Sequence, residues 1–530
     1  METPATQPAR RIALNTVIFS IATGLSRIAG LVREVVASSY FGTSGPFSAF
    51  TIAFQVPNLI RALVADSALS AAFVPVFTEL LEQKKRKDAF QLAGALFGLI
   101  LVVLGALTVV FILVAPWVIP PLTGSEFTPQ LDELTVGLSR VLFPIVLLLG
   151  LNGLVVGILN AYDHFAIPAI SPVVWNLVII VGLVALKPLF HGPNQVYAYA
   201  IAIVLGTIAQ FAMCLPVLKR VGFHLHISFH WRDPRIRTVL VLMLPVTLGL
   251  GLINFDALIN SSLGSLVSES APAAIDRAFR LYMLPQGIFS VAVATVLFPT
   301  LSRYAARGDH DGLRRTSANG VRQIALLLIP AAVFTAVLAE PLTRLVYQRG
   351  AFGASSTDEV SEALFWFSFS LPFSGANLML TRTFFSLQRP WFPTALAGGS
   401  LLVNLGVSLA LYEPYGIAGI VIGTAVASAA MAVAQAFFLR RQLHGFEIGR
   451  TLRGVVLMLG ASALLGAVAY FGWKAIESAL GTSLLAQFLS VTVATGVASA
   501  VYIATVIAMR IPEALQIAGI VRRRLGRGAS

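Results

Sequence analysis

Apolar residues occupy this chain in long runs, each near the roughly 20 residues a helix needs to cross a bilayer. They fall approximately at 12–40, 47–80, 91–118, 135–160, 168–190, 196–219, 236–265, 273–303, 316–339, 359–385, 393–412, 416–439, 451–475 and 483–509. Short segments rich in charge, glycine and proline separate them. In hydrocarbon each backbone amide must be satisfied within its own segment, so the runs predict helices rather than open strands. The pattern predicts an all-α polytopic membrane protein of about fourteen transmembrane helices. An even number puts both termini on one side.

The polar segments say which side, because cytoplasmic loops collect lysine and arginine. One set of segments holds Arg10-Arg11, the run Lys84 to Lys87, Lys219-Arg220 with Arg232, Arg235 and Arg237, Arg303 to Arg315, Arg389, Arg440-Arg441 with Arg450 and Arg453, and the tail from Arg510 to Arg527. The opposite set holds only Lys187, Arg344, Arg349 and Lys474. Both termini are therefore expected in the cytoplasm. Arg10-Arg11 leads straight into the first apolar run without a small-residue cleavage site, which reads as no cleavable signal.

Composition agrees with that class: 57% of residues are hydrophobic and 12% charged, about half the charged share of a soluble domain. The net charge of +13 is mostly the topology signal, which argues against nucleic acid as a partner. The single Cys214 excludes an internal disulfide framework and reads as a small buried hydrophobe. Asp309-His310-Asp311 imitates a metal motif but stands between glycines in a polar loop, where a solvated turn is the better reading. No Walker A sequence is present, which leaves no ATPase in this chain. Asp132-Glu133, the close acidic pair on the outer side, has no neighbouring histidine, which speaks against a glycosyltransferase or phosphatase.

An internal repeat runs through the pattern. Phe73-Val74-Pro75 recurs as Leu297-Phe298-Pro299, Pro116 as Pro341 and Pro168 as Pro393, at offsets of 224 or 225 residues. The offset spans six helices, so the two halves share an orientation and are related by a pseudo-twofold axis along the membrane normal. The expected organisation is an N-lobe over 1–220, a C-lobe over 221–445, two further helices over 446–510 and a basic tail over 511–530.

Arginines inside the apolar runs carry the functional argument. Arg27 and Arg33 fall within the first run and Arg61 within the second, away from the ends. An arginine at the centre of a membrane helix costs roughly 2.5–3.5 kcal/mol on insertion scales. Such residues belong in a wet, polar cavity, and a cationic cavity suits an anion. Arg280 lies about two turns into the eighth run and would face them across the centre, where substrates of repeat-built transporters bind. Arg140, Arg277 and Arg322 lie near run ends, where they are expected to snorkel. Glu34, Asn58 and Asp66 supply supporting polarity, and an ion-pair network among them is the structural alternative. Gly24 and Gly30 would permit a bend between Arg27 and Arg33. A guanidinium fork can bond two phosphate oxygens at once. Asp256 is an intramembrane acid that could hold a cation or relay a proton, with Asn404, Ser408 and Thr424 as candidate companions; interhelical hydrogen bonds account for each equally well.

Several stretches resemble the MurJ (MviN) family of lipid II flippases, in the multidrug/oligosaccharidyl-lipid/polysaccharide exporter superfamily. They are Ser26 to Glu34, Tyr40-Phe41-Gly42, Ala53 to Arg61, Ala72 to Pro75, Leu284 to Gly287, Leu297 to Ser302 and Gly350-Ala351-Phe352. The resemblance runs across nearly the whole chain and is most specific in its first 80 residues. It implies a transporter without covalent chemistry that moves undecaprenyl-diphosphate-linked peptidoglycan precursor by alternating access. Such a protein would sit in the bacterial cytoplasmic membrane, among membrane lipids and cell-wall synthesis proteins. The cavity arginines of the family match Arg27, Arg33, Arg61 and Arg280, and the last two helices would form a groove for the lipid tail. No cofactor is implied beyond membrane potential as a driving force and a sodium ion held in some members. That site would map to Asn404, Ser408 and Thr424 with Asp256 as fourth ligand.

The chain departs from the family at Phe279 and Met283, where acids flank the eighth-helix arginine in relatives, and at Ser48 and Ser408. Those positions predict a more cationic cavity and weaker cation coupling. An exporter of another polyprenyl-diphosphate-linked oligosaccharide and a non-transporting interaction protein are the alternative readings. A drug exporter fits less well, since exporters of cationic drugs would not place four arginines in the cavity.

Overall fold

The computed structural model describes residues 6–64, 67–223, 228, 233–516 and 518–519. Helices make up all the regular structure among the described residues. In chain order they are α1 (Thr6–Phe41), α2 (Gly45–Val64), α3 (Ser67–Glu82), α4 (Arg86–Val118), α5 (Pro129–Leu142), α6 (Pro144–Ala161), α7 (Ala166–Leu186), α8 (Val196–Arg220) and α9 (Pro234–Gly264). Then follow α10 (Ala271–Pro285), α11 (Val291–Ala306), α12 (His310–Val337), α13 (Ala339–Tyr347), α14 (Ala354–Ser368), α15 (Leu371–Ser386), α16 (Trp391–Gln442), α17 (Ile448–Leu480) and α18 (Leu484–Ala508).

Nine of these helical stretches among the described residues are long and apolar enough to span a bilayer, and a tenth if α14 and α15, bent by 48°, make one span. By this measure the expected fourteen is not reached. Part of the difference is α16, a 52-residue stretch that Gly416 (φ 54°, ψ −130°) breaks into two helices. The eighth apolar run is also subdivided. Pro285 ends α10, a π-helical turn covers Gln286–Ser290, and α11 continues. A proline withholds one backbone donor, and a wide turn is a common way to absorb the mismatch.

The chain divides into two compact units. One comprises Met1–Ala273 with Arg349–Phe352, the other Ala274–Gln348 with Gly353–Ser530. In the first unit α1 packs on α7, α7 on α8, and α2 on both α5 and α9. Aromatic stacking fixes the turn between α1 and α2. Phe41 lies on Phe47 and Phe47 on Phe50, each at 5.6 Å between ring centroids, and Phe50 meets Tyr199 at 4.7 Å. Such pairs contribute roughly 0.5–1.5 kcal/mol beyond their buried area. Gly42 closes α1 in the left-handed region (φ 57°), its N–H bonding Ser38 O at 2.8 Å. α1 itself is one continuous helix, and a methyl on Gly30 would stand in ordinary contact, 3.8 Å from the Asn176 side-chain oxygen. Within the same unit Ala351 N donates to Ser39 O at 2.8 Å, and a methyl on Gly350 (φ 58°) would collide with that carbonyl. In the Gly350-Ala351-Phe352 motif the glycine is thus a steric requirement.

In the second unit α12 packs on α15 and α17, and α17 on α18. Tyr502 Oη donates to Leu326 O at 2.7 Å, joining α18 to α12. Arg322 corrects one expectation. It does not snorkel but lies 5% accessible, its Nε on Glu513 at 2.5 Å and its Nη1 on Glu447 at 2.9 Å. Arg277 corrects it again: it is 1% accessible, 5.9 Å from the Tyr347 ring centroid. Both side chains lie within the fold rather than in water, Arg322 against two carboxylates and Arg277 beside an aromatic ring.

Candidate functional site

The described site residues expected from the sequence lie on five helices, α1, α2, α9, α10 and α16. Arg27 and Arg33 share α1. Arg27 is exposed, whereas Arg33 is buried at 9% accessibility. The Arg33 guanidinium lies over the Trp175 ring, 4.7 Å from its centroid, and donates to Glu34. Trp175 is itself held by Nε1 donating to Thr207 Oγ1 at 3.1 Å. Its neighbour Asn176 donates to Pro172 O at 2.9 Å and to Ser26 O at 3.4 Å. Helices α1, α7 and α8 therefore orient a single guanidinium. Planar stacking of this kind suits arginine and not lysine. Sequence reasoning found Glu34 but missed Trp175, since which ring faces the arginine depends on the packing of α7 against α1.

Arg61 belongs to α2. Its Nε and Nη2 donate to Asn58 Oδ1 at 3.1 and 2.8 Å. A spacing of three places the two side chains on one helix face. Asn58 in turn donates through Nδ2 to Asn254 Oδ1 on α9 at 2.8 Å. Asn254 was not among the expected residues; its only signal was an amide in an apolar run. Asp66 lies outside the described residues.

Arg280 belongs to α10, in the second unit, with 36% of its side chain accessible. Nε donates to Asp276 Oδ2 at 2.8 Å and Nη2 to Asp276 Oδ1 at 3.4 Å. The acids missing at Phe279 and Met283 predicted an unusually cationic setting, and Asp276, one turn earlier, corrects that at Arg280. The i,i+4 spacing of Asp276 and Arg280 was the readable signal. Phe279 packs instead on Tyr282 and Phe367, at 5.5 and 5.7 Å between ring centroids.

Asn404, Ser408 and Thr424 are all buried in the second unit, on the two halves of α16. Ser408 Oγ donates to Asn404 Oδ1 at 3.0 Å and lies 3.1 Å from Ile420 O. Gly423 makes the approach possible, for a methyl there would stand 2.7 Å from Asn404 Oδ1 and overlap Ser408 Oγ. These oxygens are neutral and bonded to one another, an arrangement that fits a helix-to-helix clasp. Asp256, half-buried on α9, belongs to the first unit. Among the described residues no group of three or more His, Cys, Asp or Glu side chains is placed to hold a metal ion.

The arrangement presents guanidinium groups on helices, Arg33 oriented by a ring and a carboxylate, Arg61 by an amide and Arg280 by a carboxylate. Guanidinium groups so oriented have the geometry to bond oxyanions. Comparisons with known proteins give the family. The family described as Lipid II flippase MurJ matches residues 37–491. The lipid II flippase MurJ of Burkholderia cenocepacia is 30% identical over 458 residues, covering 86% of this chain and 88% of that protein. A solved structure of a lipid II flippase MurJ in an inward closed conformation superposes with a TM-score of 0.74 at 22% identity, covering 93% of this chain and all of that one. An inward-facing multidrug resistance transporter of the MATE family, in the MOP superfamily, superposes at 0.68 with 15% identity, covering 81% of this chain and 98% of that one. These last two establish a shared fold. Matched along most of its length, the chain belongs to the MurJ lipid II flippase family.

Proposed function

We propose that this protein carries lipid II, the undecaprenyl-diphosphate-linked peptidoglycan precursor, from the inner to the outer leaflet of the bacterial cytoplasmic membrane. In this reading both termini are cytoplasmic and the chain crosses about fourteen times, with lobes over 1–220 and 221–445 and a lipid-tail groove over 446–510. Arg27, Arg33, Arg61 and Arg280 bind the diphosphate and the acidic oxygens of the head group. The observation that carries the proposal is at Arg61: Nε and Nη2 both donate to the Asn58 amide oxygen, which aims the guanidinium fork.

Binding then proceeds by exchange of partners. A phosphate oxygen displaces the Asp276 carboxylate from Arg280, and the ion pair re-forms on release. The Trp175 ring orients the Arg33 guanidinium, whose planar fork suits a bidentate contact. The protein contributes positioning and electrostatics and makes no covalent bond to the substrate. Membrane potential biases the cycle, as one charge crossing 100 mV corresponds to about 2.3 kcal/mol.

The test is replacement of a bacterium's own lipid II flippase by this chain, with precursor exposure at the outer leaflet as readout. Rescue is expected from the wild-type chain and loss of it from Arg33→Ala combined with Arg280→Ala. Full rescue by that double variant would remove the arginines from the mechanism.

A further inference from the structure

Where α16 ends, a basic hollow opens that the flippase reading does not use. It has a volume of about 470 Å³ and is lined by Phe437, Arg440, Arg441, His444 and Gly445. Basic residues at a helix end are expected on topological grounds alone and would then simply point to water. Three features here go further. The Arg441 guanidinium lies over the Phe437 ring at 4.5 Å, which fixes its plane. Arg314, from α12, brings Nη1 to within 3.2 Å of where a methyl on Gly445 would stand. Phe437 is 47% accessible, an apolar rim beside charged walls.

The corresponding end of α8 in the first unit shows what the hollow is not. There Arg86, near the start of α4, donates to Val221 O at 3.1 Å and Gly222 O at 3.4 Å, above the Phe90 ring. That arginine is committed to the carbonyls that close α8. In the second unit the chain from the paired arginines to the glycine is longer, running Arg441-Gln442-Leu443-His444-Gly445 against Arg220-Val221-Gly222. His444 takes a left-handed conformation (φ 51°), and Arg314 pairs with Asp311 at 3.0 Å. The end of α16 is closed from within by Leu443 N on Leu439 O and Gly445 N on Arg440 O, both at 2.9 Å. Two carbonyls of its last turn are thus satisfied by the chain itself and need no arginine, unlike those that close α8.

We infer that this hollow binds the phosphodiester head of an anionic phospholipid, with Arg440 and Arg441 on the phosphate and Phe437 against the acyl chains. A soluble phosphate would use the arginines but gain nothing from the exposed ring at the end of a membrane helix. The site lies wholly in the second unit and does not depend on the transport reading.

The full-length protein in neutral detergent is titrated with phosphatidylglycerol, phosphatidylcholine or inorganic phosphate, and bound lipid is counted by native mass spectrometry. Phosphatidylglycerol should be retained in preference to phosphatidylcholine. The Arg440→Gln, Arg441→Gln double variant should weaken that retention about thirtyfold, from the loss of two surface charges. Arg441→Lys, which keeps the charge but loses the stacked fork, should weaken it several-fold and carries the test if the double variant does not fold. Arg307→Gln, an exposed charge elsewhere, should leave it unchanged. Equal retention of the two lipids, undiminished retention by the double variant, or an equal loss in Arg307→Gln would overturn the site. Displacement of the lipid by millimolar inorganic phosphate would overturn its assignment to lipid.

Discussion

Arg322 sits between two carboxylates where little water reaches, and removing it exposes what the arrangement contributes. Its side chain is 6% accessible, that of Glu513 4% and that of Glu447 22%. Arg322→Met leaves Glu513 buried without its guanidinium, a change of about 3–5 kcal/mol for the loss of one partner of a buried pair. At roughly 2–4 °C per kcal/mol for a cooperative unit of this size, melting should fall by about 6–20 °C. Glu513→Gln is milder, because Arg322 keeps Glu447 and a hydrogen bond to the new amide; about 1–2 kcal/mol is expected. Combining Arg322→Met with Glu513→Leu replaces the pair by apolar groups and should recover most of the loss. The assay is thermal unfolding of the detergent-solubilised protein, followed by the monodisperse fraction on size exclusion. Melting of Arg322→Met within about 2 °C of wild type would refute the reasoning. So would a double variant no more stable than Arg322→Met.

Three further outcomes are expected. Arg33→Lys keeps the charge but loses both the stack on Trp175 and the fork, and should abolish most rescue in a flippase-depleted cell while the protein still reaches the membrane; wild-type rescue would show that the fork is not used. Asp276→Asn removes the carboxylate that competes for Arg280. Because the pair is partly exposed, binding of a lipid diphosphate measured by native mass spectrometry should tighten by no more than about threefold, and weaker binding would contradict the exchange of partners. Gly423→Ala forces a methyl against Ser408 and Asn404 and should cost about 1–3 kcal/mol in thermal stability, whereas Ser408→Ala should cost about 1 kcal/mol. A sodium-dependent melting shift that vanishes in Ser408→Ala would point to a bound cation rather than a clasp.

Apolar runs and loop charges made the class legible, because a bilayer admits few solutions for a backbone with unsatisfied amides. The short turn before α2 and the arginines on α1, α2 and α10 were also visible. What remained hidden was tertiary. Arg277 and Arg322 stand near the ends of apolar runs, and from position alone water is their natural destination. Only the folded chain brings Glu447 and Glu513, which are 125 and 191 residues from Arg322, to the same guanidinium. Trp175 likewise gave no sign that it would face Arg33. Asp276 is legible in the sequence through its i,i+4 spacing to Arg280, one turn before the positions where relatives carry acids.

The link from Arg61 through Asn58 to Asn254 has a direction. Guanidinium nitrogens only donate, so Asn58 must offer them its oxygen, and its nitrogen is left to seek an acceptor. Asn254 is obliged to answer with its own oxygen; rotating either amide by half a turn would set donor against donor. The aim of one arginine on α2 is thus encoded in which way an amide faces on α9. A sliding of α9 by a single ångström would be felt at the guanidinium tip as lost bearing, before any charge had moved.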